Sequence, residues 1–295
     1  MPEPFGFLPV DKPHGMTSHD VVAAVRRATR VKRVGHGGTL DPLATGVLVL
    51  CLGAATRLSE YVMATRKRYH AVVRLGAVTE TDDAEGQIVA EQPIEHLTAA
   101  DVAAALSAFN GEIEQIPPMY SAIKQSGEKL YQLARRGETV ERTARRVWLR
   151  TELLSYRAPY AEIAVECSHG TYIRSLARDL GAALGVGGFL ADLRRLASGA
   201  FEQPIAWDVL QSAFADGTWQ KYLADERTAL PHLAEVQLDA ARARVIQHGH
   251  AVRAANDVAD GTLARLYADS GVFLAIAVYE DGQWRPVKVF QQQKA

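Results

Sequence analysis

Apolar positions along the chain fall into helix and strand patterns that alternate from the start. Phe5 to Val10 predicts a short strand, followed by a turn at Asp11 to Gly15. Thr17 and Asp20 have the spacing of a capping box. The helix they open carries Val21, Val22, Val25 and Ala28 on one face. Val47-Leu48-Val49-Leu50 is an unbroken apolar run after turn residues, the pattern of a buried strand. From Arg68 to Leu75 the pattern has period two: Tyr69, Ala71, Val73 and Leu75 face one way, Arg68, His70 and Arg74 the other. Thr98 to Phe109 predicts an amphipathic helix. Val147 to Ser155 and Ala161 to Cys167 predict paired strands joined across Pro159, and a helix follows from Tyr172 to Leu184.

Two stretches break this rhythm. Residues 115–148 are irregular, polar and basic, with a short helix expected around Leu130 to Arg136, and such long interruptions on a compact domain are commonly functional. Residues 203–231 read as a linker with a short helix, Ala206 to Leu210. Beyond Val236 come short strand-like pieces, Arg244 to Ile246, Gly249 to Val252, Leu263 to Tyr267 and Phe273 to Tyr279, with turn signals at Asp260-Gly261 and Asp281-Gly282. The expected fold class is α+β. A domain of residues 1–235 surrounds a mixed, mostly antiparallel sheet, and a small β-rich domain follows at 236–295.

At 295 residues the chain can bury a sizeable core. Nothing approaches a membrane span, and Met1 to Phe5 lacks the basic start and apolar core of a signal peptide, so a cytoplasmic protein with no membrane contact is expected. Cys51 and Cys167 sit far apart in apolar runs, as buried thiols do. The formal net charge is -1, yet the charges are separated. Basic residues gather at Arg26, Arg27, Arg30, Lys32 and Arg33, at Arg66, Lys67 and Arg68, and at Arg135, Arg136, Arg142, Arg145, Arg146 and Arg150; acidic ones gather between Glu80 and Asp101. Such a surface can hold a polyanion on one side, although each cluster taken singly also fits a solvated face.

The stretch best suited to chemistry is Gly35-His36-Gly37-Gly38-Thr39-Leu40-Asp41-Pro42-Leu43-Ala44-Thr45-Gly46. Its glycines permit unusual backbone and close approach, and Pro42 restricts Asp41. Together they hold one carboxylate on a rigid loop at the end of a core strand; a plain Asp-Pro turn has the same local signature. The loop lacks the Gly-Lys-Ser/Thr ending of a phosphate cradle. Tyr69 reads as core or as a site aromatic. Arg174, at a helix start that opposes its charge, needs an anionic partner, with Asp41, Asp179 and Glu166 as candidates.

His36 to Gly46 resembles the catalytic motif of the TruB family of tRNA pseudouridine-55 synthases. Four further segments resemble family motifs in the same order: Val10 to Ser18, the Lys67-Arg68-Tyr69 position, Gly170-Thr171-Tyr172-Ile173-Arg174, and Phe189 to Leu196 with Ser198-Gly199. The resemblance spans residues 5 to about 210 and implies isomerisation of uridine to pseudouridine in the T-loop of tRNA, with no cofactor and no metal. It further implies Asp41, Tyr69 and Arg174 as catalytic residues, and His36, Tyr69, Tyr172 and Leu193 as binders of the flipped base and its surroundings. Residues 115–148 correspond to an RNA-clasping thumb with Arg135, Arg142, Arg145 and Arg146 on the RNA backbone. The C-terminal part corresponds to a PUA-like RNA-binding domain. The partner expected is the tRNA T-arm, with the protein a monomer needing no obligatory protein partner. Two other activities fit the same residues: a tRNA chaperone without chemistry, and an N-glycoside hydrolase that releases uracil.

Overall fold

The computed structural model describes residues 3–120, 124–125, 128–129, 133, 136, 138 and 140–290. The expected α+β architecture is observed, with two main sheets. The strands of the first part are β1 (Gly6–Lys12), β2 (Val34–His36), β3 (Thr45–Leu52), β4 (Lys67–Leu75), β5 (Ala77–Thr79), β6 (Ile88–Glu91), β7 (Gly111–Gln115), β8 (Lys124–Gln125), β9 (Glu128–Lys129), β10 (Arg145–Arg157), β11 (Tyr160–Cys167) and β12 (Gly188–Ser198). Eight of them form one sheet in the order β1-β3-β12-β4-β11-β10-β7, with β2 pairing on β3. All its pairings are antiparallel except β12 on β3.

Sequence dictates which strands lie at the centre. β3 is buried along almost its whole length, as an unbroken apolar run requires. β4 keeps its alternation, so Tyr69, Ala71, Val73 and Leu75 enter the core while Arg68, His70 and Arg74 do not. Several helices cover the apolar face, and two of them position the site. The helix Ser18–Thr29 starts from a complete Thr17–Asp20 capping box and buries Val21, Val22 and Val25; Ala28 is exposed, so the apolar stripe is narrower than its spacing implies. The helix Ile173–Ala183 buries Ile173, Leu176, Ala177 and Leu180.

Two expectations about the thumb change. Arg145 and Arg146 belong to β10, paired with Gln115 and Glu114 of β7, so the irregular segment runs only from the end of β7 to the start of β10. Arg135 and most of the helix expected at 130–136 lie outside the described residues. The helix expected at Ala206 to Leu210 extends over Trp207–Ala215.

The C-terminal strands are β13 (Ala234–Leu238), β14 (Val252–Arg253), β15 (Leu263–Ala268), β16 (Phe273–Glu280) and β17 (Gln283–Val289), ordered β13-β15-β16-β17-β14. Arg244 to Ile246, expected as a strand, is helical within Ala240–Gln247. Asp239 caps that helix by accepting the Arg242 N–H, and this N-cap outweighs the β-branched Val245 and Ile246. A shared apolar cluster, including Phe7, Val49, Leu58, Leu230, Ile276 and Phe290, joins the two sheets.

Candidate active site

Asp41 sits in the loop between β2 and β3, and three elements hold that loop from outside. From the Ser18–Thr29 helix, the Ser18 hydroxyl donates to the Leu40 carbonyl at 2.9 Å and accepts the Leu40 N–H at 2.8 Å. From β1, the buried Lys12 ammonium donates to the carbonyls of Pro13, Met16 and, at 3.2 Å, Pro42. Burial pushes the Lys12 amine down to about 8. From β12, Arg195 donates to the carbonyls of Gly38 at 3.0 Å, Thr39 at 3.3 Å and Val47 at 2.6 Å. The loop's backbone acceptors are thus met by side chains, which a buried loop requires.

Gly46 ends the loop for a steric reason. Its φ is +95°, and a Cβ there would lie 2.2 Å from the Arg195 carbonyl oxygen. Only glycine lets β3 approach β12 this closely while turning out of the loop.

Arg174, at the first turn of the Ile173–Ala183 helix, is 4% exposed. Its Nε lies 3.0 Å from Asp41 Oδ2, and its Nη1 lies 3.4 Å from Asp83 Oδ2. The guanidinium also donates to the carbonyls of Thr81 at 3.2 Å and Tyr120 at 2.7 Å. Of the partners weighed for Arg174, Asp41 is the one it meets; Asp179 and Glu166 pair with Arg178 and Arg66 instead. Asp83 is one of the residues that sequence reasoning missed. It lies in what reads as an acidic surface turn, yet it is 2% exposed and accepts from the Thr81 hydroxyl and the Glu85 N–H. No local signal marks it, because its partner is 91 positions away in sequence, counting from 83 to 174.

The Asp41 carboxyl is pushed above its ordinary value. Burial is the main cause, and nearby Asp83 adds to it; Arg174 and Lys12 oppose it. Its side chain keeps 35% of its exposure, so the carboxylate faces an opening while its surroundings remain poorly hydrated. A raised pKa makes the carboxylate a better base or nucleophile than a free aspartate.

The other candidates surround this pair. Tyr69 is 9% exposed on β4, opposite Arg195 in strand register. Burial raises the Tyr69 phenol. Leu193 is buried on β12 opposite Ala71, with its carbonyl facing the Thr45 hydroxyl at 3.5 Å. Tyr172 caps the helix that carries Arg174, and its backbone N–H and carbonyl are both engaged by the Gln115 amide, at 2.8 and 3.0 Å. His36 ends β2, with its ring edge-on to His19 at 5.6 Å between centroids. Its Nδ1 accepts the Gly38 N–H at 3.4 Å, which leaves the proton on Nε2. Burial first, then the charges of His19 and Arg195, lower its pKa to about 4. Arg145 and Arg146 are exposed on β10, whereas Arg142 is half-buried and donates to the Pro117 carbonyl at 2.9 Å.

Comparison with known proteins finds relatives over nearly the whole chain. The model of the TruB family pseudouridylate synthase N-terminal domain covers residues 26–173. Models of the tRNA pseudouridylate synthase B C-terminal domain and of the pseudouridine synthase II TruB C-terminus cover residues 174–236 and 234–290. The chain is 43% identical to tRNA pseudouridine synthase B of Pseudomonas aeruginosa over 97% of this chain and 96% of that one. It is 45% identical to the Thermobifida fusca protein of the same name, over 97% and 98%. Among solved structures, a chain of a Cbf5–Nop10–Gar1 complex superposes with a TM-score of 0.75 at 27% identity, covering 97% of this chain and 84% of that one. By sequence over nearly its full length and by fold, the chain belongs to the TruB family of pseudouridylate synthases and is an isomerase of that class.

Proposed function

We propose that this protein isomerises uridine to pseudouridine at position 55, in the T-loop of tRNA, and that Asp41 carries the chemistry. The observation behind this reading is the ion pair between Asp41 and the buried Arg174. One carboxylate is presented at an opening, oriented by a guanidinium that is itself fixed by Asp83 and two carbonyls. The tRNA-directed names of the relatives support the substrate class.

The reaction breaks the N1–C1′ bond, turns the uracil and forms a C5–C1′ bond; C5 loses its proton and the freed N1 takes one up, so the mass is unchanged. Asp41 serves it by one of two routes. It attacks C1′ as the glycosidic bond breaks, or it takes the C2′ proton and leaves a glycal. The target base is stacked in folded RNA and is flipped out to reach Asp41. Tyr69 stacks on it and assists the C5 deprotonation, with Leu193 and Tyr172 lining the pocket. His36, neutral at pH 7, fills the space the base leaves. Lys12 needs no catalytic role, since its ammonium is consumed by three carbonyls.

The exposed Arg26, Arg27, Arg30 and Lys32 at the end of the Ser18–Thr29 helix, with Arg145 and Arg146 on β10, supply phosphate contacts. The unit of residues 236–295 adds RNA affinity rather than chemistry, and the protein works as a cytoplasmic monomer. The test is incubation with an unmodified tRNA transcript, followed by carbodiimide mapping and intact mass. Pseudouridine at position 55 with unchanged mass is expected. Free uracil and an abasic site would replace this reading with hydrolysis, and bound but unaltered tRNA would replace it with chaperoning.

A further inference from the structure

Among the described residues, Arg174 is matched by carboxylates and Arg195 is not. Arg195 is 2% exposed and ranks among the largest fully buried side chains, and its donors meet three carbonyl oxygens. Burying a guanidinium against neutral acceptors is costly, so its place in the fold needs a reason. Its strand register supplies one. On β12, Arg195 lies opposite Tyr69 of β4 on one side and opposite Gly46 of β3 on the other. Its side chain then crosses to the Gly38 and Thr39 carbonyls, three and two residues before Asp41.

We propose that Arg195 is a positioning residue that fixes the Tyr69 phenol and the Asp41 loop in one geometry, so that both groups address the same flipped uridine. A guanidinium suits this task. It is a rigid planar fork with five N–H donors; three meet the Val47, Thr39 and Gly38 carbonyls, which leaves two for the phenol of its register partner Tyr69. Arginine can only donate, so the Tyr69 oxygen accepts from it, and the phenol's own hydrogen is free to point toward the base. The nearby charge also pulls the Tyr69 phenol down against the stronger effect of burial, which favours its use as a proton acceptor. A lysine here would keep the charge and lose the fork.

This inference rests on the assignment of Asp41 and Tyr69 to pseudouridine formation, and its test has arms with and without substrate. Arg195→Lys and Arg195→Met are compared with the wild type by thermal melting, tRNA affinity and single-turnover rate. For folded variants, the rate should fall about 10- to 100-fold, the loss expected for reacting groups held out of line. Affinity should change by no more than about threefold, because phosphate contacts supply most of it. Without substrate, NMR titration of tyrosines labelled at Cζ should show the Tyr69 signal, assigned by its absence in Tyr69→Phe, moving to higher pH in Arg195→Met as the cation is lost. If neither Arg195 variant folds, the wild type and Tyr69→Phe suffice. The Arg195 Nη–H signals should shift on removal of the hydroxyl, while the Nε–H bonded to Val47 stays in place. Wild-type rates in a folded Arg195→Lys protein, an unmoved Tyr69 titration, or Nη–H signals indifferent to Tyr69→Phe would each overturn the proposal. A wild-type protein that makes no pseudouridine would sink the functional reading instead, and the substrate-free arms would still decide whether Arg195 couples the two elements.

Discussion

Replacing Arg174 with Met removes the shared cation while keeping an apolar side chain of similar length. The guanidinium faces two carboxylates of unequal exposure: the Asp83 side chain is 3% exposed and that of Asp41 35%. Asp41 can regain water and Asp83 cannot, so the penalty falls mainly on Asp83. Leaving one buried charge unpaired costs about 3–5 kcal/mol. The carbonyls of Thr81 and Tyr120 also lose their donor. For a chain of this size the melting temperature should drop by roughly 5–15 °C. The chemistry should respond in a way that simple destabilisation does not. Burial already raises the Asp41 carboxyl, and Arg174 is the largest influence opposing that rise. Without it the carboxyl rises further, so the active, ionised form appears only at higher pH. Single-turnover rates measured across pH, at a temperature where the variant is folded, should show the acid limb displaced upward. A folded Arg174→Met protein with an unmoved acid limb would refute the electrostatic coupling drawn here. Wild-type melting behaviour would refute the claim that Asp83 depends on Arg174.

Further outcomes follow from the same contacts. Arg142, Arg145 and Arg146 changed together to Ala should flatten the salt dependence of tRNA binding by about two counterion equivalents, since Arg142 is held by the Pro117 carbonyl and only two are exposed; an unchanged salt slope would remove β10 from the interface. Gly46→Ala should give a protein that melts much lower or fails to fold, because the new Cβ meets backbone rather than a movable side chain, and wild-type melting would contradict the packing of β3 on β12. His36 is lowered to about 4 from 6.5, so the folded state binds its proton less tightly than the unfolded chain. Its contribution to stability is therefore present above pH 6.5 and is lost as pH falls toward 4. His36→Phe should lessen the acid destabilisation in that window, read by denaturant titration at pH 7 and pH 5.

Much of this arrangement is legible in the sequence where the signal is local. The β4 alternation places Tyr69 on the core face, the capping box starts the Ser18–Thr29 helix, and the Gly-rich loop leads into a buried strand. The helix-start position of Arg174 also calls for an anion, and Asp41 meets it. What escapes is the burial of charge. No local signal marks Asp83, Lys12 or Arg195 as buried, since polarity alone predicts exposure. They are inside because carbonyls and a guanidinium from distant segments meet them there, and sequence spacing does not encode that meeting. The Arg244 to Ile246 error is of another kind. Two β-branched residues outweighed a legible signal, Asp239 at a helix N-cap followed by Ala-Ala-Arg-Ala.

The central claim is that the Asp41 carboxylate, held by Arg174, performs the isomerisation. It is tested most directly by Asp41→Asn, which keeps size and shape and removes the charge. The variant should first be shown to melt cooperatively, because among the described residues Arg174 then retains only Asp83 as a carboxylate partner. Single-turnover conversion of tRNA labelled with tritium at uridine C5 then reports loss of the C5 hydrogen. Wild type should release tritium and Asp41→Asn should fall by at least about two to four decades, with tRNA affinity nearly unchanged. Near wild-type release from a folded Asp41→Asn protein would contradict the account.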